Sequence, residues 1–186
     1  MGWNNTPPLQ KQILKLLSTE GALTKNEIAE KLGKSYKNVV FSLESLESKK
    51  LVEVVGEKSY RNQTFKTYWL TWYGVLEACA IGCRPETLKS HVLRYVKGEL
   101  TPQALTAINT LFKFLEALTP AQIRQFANCL DFSTSPPKVK QIPLNIINPH
   151  EGRKMLKIIA ENEPYKSLVK TALKQALDSL EEASTP

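Results

Sequence analysis

The segment Thr24-Lys25-Asn26-Glu27 restricts this chain more than any other, because a Thr followed three places later by a Glu forms a capping box. The hydroxyl and the carboxylate each accept a hydrogen bond from an amide that a helix start leaves unpaired, so the first turn is well defined. Ile28, Ala29 and Leu32 supply the buried side of a short helix, and Gly33 ends it with a permissive turn. Ser35 then caps another helix, in which Val39, Val40, Leu43 and Leu46 keep a helical period as far as Lys49 and Lys50. Two helices so close in sequence meet across a tight turn. Before them, Thr6 is expected to cap a helix that begins with Pro7 and Pro8, carries Leu9, Ile13, Leu16 and Leu17 on one face and ends at Gly21.

Residues 51–55 are β-branched and apolar, 56–63 are polar, and 64–71 are rich in aromatic and β-branched types. The pattern predicts a two-stranded hairpin with a long loop. Asn62-Gln63-Thr64 matches a glycosylation sequon but reads more simply as the polar tip of that hairpin. A fourth helix through Val75, Leu76 and Ala80 should end near Gly82. The remainder is expected to be helical, since Pro85, Pro102, Pro120, Pro149 and Pro164 each stand ahead of an apolar-periodic segment, where proline sacrifices no hydrogen bond. Those segments are 86–97, 102–118, 120–130, 149–162 and 164–182, with Thr101 and Thr119 as caps and a proline-rich linker at 133–148.

At 186 residues, 42% hydrophobic and 23% charged, the chain can bury one good core or two small ones without a disulfide or metal staple. Cys79, Cys83 and Cys129 cannot all pair, and the first residues lack a basic stretch followed by an apolar one, which together point to the cytoplasm. The most apolar run, 68–83, falls short of the roughly 20 residues a bilayer span needs, so no membrane is expected. Cys79, Cys83 and His91 are residue types that zinc accepts, but their spacing is unusual and a fourth ligand is missing, so the cysteines read as core residues. Trp69, Trp72 and Tyr73 read as packing where the hairpin meets the fourth helix. With no nucleophile, base or phosphate loop in a recognisable arrangement, the chain is not expected to be an enzyme or to hold a cofactor.

The net charge of +7 points to a polyanion. It is unevenly spread. Residues 31–41 hold Lys31, Lys34 and Lys37 with no acid, whereas 138–174 hold eight bases against three acids. Lys166, Lys170 and Lys174 line one side of the last helix and read as a solvated face beside an apolar stripe, with an auxiliary nucleic-acid surface as the alternative.

Gly33, Ser35, Val39, Leu43, Leu46, Glu47, Leu51 and Val52 resemble, position by position, the recognition-helix stretch of bacterial and archaeal winged-helix regulators of the MarR and ArsR kind. Tyr68-Trp69-Leu70-Thr71-Trp72-Tyr73-Gly74 is similar to the Tyr-x-Leu-Thr-x-x-Gly that ends the wing in those proteins. The resemblance spans roughly residues 7–82 and departs at Val40 and Phe41, where polar or basic residues are frequent, and at Lys50, where a turn glycine is usual. It implies a mainly α fold: a winged helix-turn-helix with three helices, a two-stranded wing and a fourth helix over residues 1–82, followed by an all-helical domain over 83–186.

The resemblance also implies roles. The second helix of the pair would enter the major groove of double-stranded DNA, with Tyr36, Lys37, Asn38, Phe41, Ser42 and Ser45 outward. Asn38 would read adenine, Lys37 guanine or a phosphate, and Phe41 thymine methyls. Lys34, Ser35 and the helix N-terminus would meet phosphate, and Lys58, Arg61 and Lys66 would set the wing on the backbone or in the minor groove. The expected function is a DNA-binding transcriptional regulator, a homodimer whose second domain dimerises or receives a small-molecule or protein effector. A protein-interaction module that uses Phe41 is the competing reading.

Overall fold

The computed structural model describes residues 6–95, 102–116, 118–127, 130–131 and 138–139. The helices expected at 149–162 and 164–182, most of the 133–148 linker, Thr101, Cys129, His150 and the lysines beyond Lys138 lie outside them.

Helix α1 (Pro8–Glu20) buries Ile13, Leu14 and Leu17, but Thr6 does not cap it. Pro8 disfavours the helical region for the residue before it, so Pro7 stays extended and becomes the N-cap, leaving Thr6 one place too far upstream. The Thr6 hydroxyl donates instead to Glu77 Oε1 at 3.3 Å. After Gly21 a short strand β1 (Leu23–Thr24), absent from the sequence pattern because two residues carry no period, leads into α2 (Lys25–Leu32). The capping box is formed: the Thr24 amide donates to Glu27 Oε2 at 2.7 Å and the Glu27 amide to the Thr24 hydroxyl at 3.3 Å. Gly33 closes α2 with φ +59, and α3 (Tyr36–Ser48) starts from Ser35 as expected.

Lys50, where the usual glycine is missing, does adopt the left-handed conformation, with φ 57. The chain then enters β2 (Val52–Tyr60) and returns along β3 (Gln63–Leu70). The long loop expected between the strands is absent. Residues 56–60 continue β2, 63–64 begin β3, and the connection is Arg61-Asn62 alone, both with positive φ as a two-residue hairpin turn of the primed kind requires. The segment read as a loop because the arm stands in water on both faces, so the alternation that marks a half-buried strand is lost. The strands form an antiparallel sheet in the order β1-β3-β2, irregular between Val54 and Gly56.

The junction with α4 (Trp72–Ala80) explains the Leu-Thr-x-x-Gly motif. Thr71 Oγ1 accepts the Gly74 amide at 3.1 Å and donates to the Lys50 carbonyl, while the Thr71 amide donates to Leu51 at 3.1 Å. A Cβ on Gly74 would run into the Leu51 carbonyl, so only glycine fits. Helix α5 (Pro85–Tyr95) lies against α1. Trp69 donates its indole N–H to the Leu17 carbonyl at 3.0 Å and packs 4.9 Å from Tyr95, whose hydroxyl accepts the Ala22 amide at 3.0 Å.

Helix α6 (Pro102–Glu116) packs against α5, and α7 (Pro120–Ala127) packs against α4. Thr119 starts α7 as expected, bonding reciprocally with Gln122. The second half is not purely helical. The helix expected to reach residue 130 ends at Ala127, and β4 (Leu130–Asp131) pairs antiparallel with β5 (Lys138–Val139). Strands of two residues are specified by their partner, not by a period along the chain. One apolar cluster runs from Ile13 to Ala127 through the seven helices and the three-stranded sheet. The fold is a mainly helical winged helix with a three-stranded antiparallel sheet.

Candidate nucleic-acid interface

Helix α3 is amphipathic, and its inner face decides what its outer face presents. Val39, Leu43 and Leu46 are completely buried against the rest of the core. That rotation leaves Tyr36, Lys37, Asn38 and Phe41 exposed, with Ser42 and Ser45 half-buried at the edge. Lys34 and Ser35 are exposed at the helix start. The Ser35 hydroxyl accepts the Asn38 amide at 3.4 Å, and its own proton stays available for an acceptor outside the helix. Lys37 lies over the Phe41 ring, its Nζ 5.8 Å from the centroid.

The hairpin supplies the second edge. Arg61 sits in the turn and stacks over the neighbouring Tyr60, 5.1 Å from its centroid, and Lys66 is exposed on β3. Lys58 is placed differently from the outward role expected of it: its ammonium lies 2.7 Å from Glu27 Oε1 and ties the wing to α2. Partial burial pushes the Glu27 carboxyl upward, but hydrogen bonds from Lys58 and from the Thr24 amide and hydroxyl outweigh it and hold the group below its usual range. Lys31 is likewise paired, 3.1 Å from Glu20. Among the described residues, Lys34, Lys37, Arg61 and Lys66 are the cations of this face that make no ion pair. No acid occurs between Lys31 and Leu43 or between Lys58 and Leu76.

Tyr60, inside the segment that reads as a polar loop in sequence, stands beside Arg61 at the wing tip, on the face of the arm opposite to Lys66. It is 62% exposed, with Phe41 at 58% and Tyr36 at 53%. The signal was present as an aromatic beside an arginine at a turn.

The other chemistry-bearing groups lie elsewhere. Burial pushes the Cys79 thiol up to about 12, and burial also raises Cys83 against the opposing pull of Ser18 and Lys15, which favours the thiol form of both. They line an open cleft of about 750 Å³ with Arg84, Glu86, Leu115 and Ile123. His91 does not join them, since its Nε2 lies 3.1 Å from the Thr19 carbonyl. Among the described residues no three of His, Cys, Asp or Glu gather where they could hold a metal ion. No described helix is long and apolar enough to cross a membrane. Glu77, on α4, is buried, with Oε2 3.5 Å from Arg124 Nε of α7.

No protein-family model matches the chain, and no curated protein matches it either. Among solved structures it is similar to a mutant of S. aureus MepR, at 23% identity and a TM-score of 0.35, over 59% of this chain and 80% of that one.

Proposed function

We propose that this chain is a DNA-binding regulator of transcription, with α3 in the major groove and the β2–β3 wing on the flanking backbone. The observation that carries the reading is the acid-free start of α3, where Lys34, Lys37 and Asn38 stand exposed around a Ser35-capped N-terminus, the first acid of the helix being Glu44. Helix N-termini favour phosphate, and an exposed amide and ammonium on the first turns are placed as groove-reading helices place them. Arg61 and Lys66 add positive groups on the wing, Lys66 directly across from the exposed Glu57, while Lys58 contributes by holding the wing against α2. One α3 reads only a few base pairs, so a homodimer on an inverted repeat is the arrangement that supplies specificity.

Titration of a fluorescent duplex at several salt concentrations tests this. The expected result is a steep loss of affinity with salt, with Lys37→Ala and Arg61→Ala each lowering the log-log slope by about 1. Salt-independent or absent binding overturns it. The exposed rings of Tyr36 and Phe41 favour the second reading, a protein-interaction module, which that negative result would support.

A further inference from the structure

The interface carries more aromatic surface than reading a closed duplex requires. In a B-form duplex the base faces are stacked against one another, and the groove offers an apolar side chain little beyond thymine methyls. Phe41 alone could serve that contact. Yet Tyr36, Phe41 and Tyr60 are all more than half exposed, and two of the three carry a cation on the ring: Lys37 over Phe41 and Arg61 over Tyr60. Aromatic rings interleaved with cations are what unpaired bases bind, because every base has a face to stack and a phosphate beside it.

The wing presents this chemistry farthest from the core. Tyr60 stands about 13 Å beyond the irregularity at Val54–Gly56, at roughly 3.3 Å per strand residue. Tyr60 faces Gln63 and Lys58 faces Phe65, so by register Tyr60 and Phe65 share one face of the arm. Arg61 occupies a left-handed position with φ 47, where asparagine or glycine is the usual occupant, and from there its guanidinium covers the Tyr60 ring.

We infer that the Tyr60–Arg61 wing tip stacks on unpaired bases, and that the target is DNA in which a duplex runs into a single-stranded segment, with α3 on the duplex and the tip on the bases beyond it. The inference rests on the DNA-binding reading above and narrows its target. It predicts discrimination between two probes of the same sequence, a blunt duplex and that duplex extended by a single-stranded overhang carrying 2-aminopurine next to the junction. With the full chain, the overhang probe should bind about ten-fold tighter, and the 2-aminopurine fluorescence should change as the base is stacked on. Tyr60→Ala should abolish that preference and the fluorescence change, so that the variant binds the two probes equally. Tyr60→Phe, which keeps the ring, should retain both. Because Tyr60 is exposed, a far-ultraviolet dichroism spectrum identical to the parent's will show that the fold is kept. Equal binding of the two probes, or a preference that survives Tyr60→Ala, overturns the inference and leaves duplex binding standing. Failure to bind either probe in a salt-dependent way overturns the DNA-binding reading along with it.

Discussion

Gly74 and Lys50 together fix how the wing is attached. Thr71 bonds back to Lys50 and Leu51, so the Leu51 carbonyl points into the first turn of α4, where Gly74 alone leaves room for it. Gly74→Ala forces its new methyl against backbone rather than against a side chain that could swing aside. The expected loss is about 3 kcal/mol, read as a lower urea midpoint with an unchanged slope. Gly21 is constrained in a similar way by its φ of +86 and by Tyr95 Oη, which lies 2.9 Å from where its Cβ would be. The Gly74 position was legible from the motif, and Lys50 was legible as a departure from it. The obligation on Gly21 was not, because Tyr95 lies 74 positions away and no local pattern announces its approach.

At the level of elements, the helices and the hairpin were legible, and the length of the hairpin's arm was not. Capping residues act within four positions of themselves, so Thr24, Ser35 and Thr119 marked helix starts that the structure contains. Thr6 failed because Pro8 overrode it through the backbone of Pro7. The hairpin is legible but its two-residue turn is not, because Arg61-Asn62 is not the usual pair for such a turn and because Glu57, Lys58, Ser59 and Tyr60 are all exposed. Asn62→Gly relieves the second left-handed position and should stabilise the chain by about 0.5–1 kcal/mol, measured by thermal unfolding, with duplex affinity unchanged. Lys58→Ala acts differently. It frees Glu27 and unties the wing from α2, so faster amide exchange in residues 58–64 is expected with little change in global stability.

Among the described residues, a buried carboxyl links α4, α7 and the segment ahead of α1. Glu77 on α4 faces Arg124 on α7 and Thr6 ahead of α1, and burial raises it above its ordinary value of 4.5 although Arg124, Thr6 and Lys11 pull the other way. A carboxyl raised on folding gives stability that is complete below its unfolded pKa and is lost as pH rises through the folded one. Glu27 is lowered, so its contribution has the opposite sense, present above its unfolded value and lost as pH falls through the folded one. The comparison that isolates Glu77 is therefore with Glu77→Gln, against which the parent's Tm should fall as pH is raised from 4.5. A parent that holds its Tm relative to the variant contradicts this. The composition named a polyanion partner, and the fold adds which lysines and arginines are already paired, something a charge count cannot tell. Replacing Lys166, Lys170 and Lys174 by Gln is expected to leave duplex affinity unchanged, the outcome that separates the sequence-based reading of a solvated face from that of an auxiliary nucleic-acid surface. The central claim is that α3 and the wing meet DNA, and amide chemical-shift mapping with a duplex tests it most directly. The expected shifts concentrate in residues 34–45 and 58–66; shifts confined to α5, α6 and α7, or none at all, would contradict it.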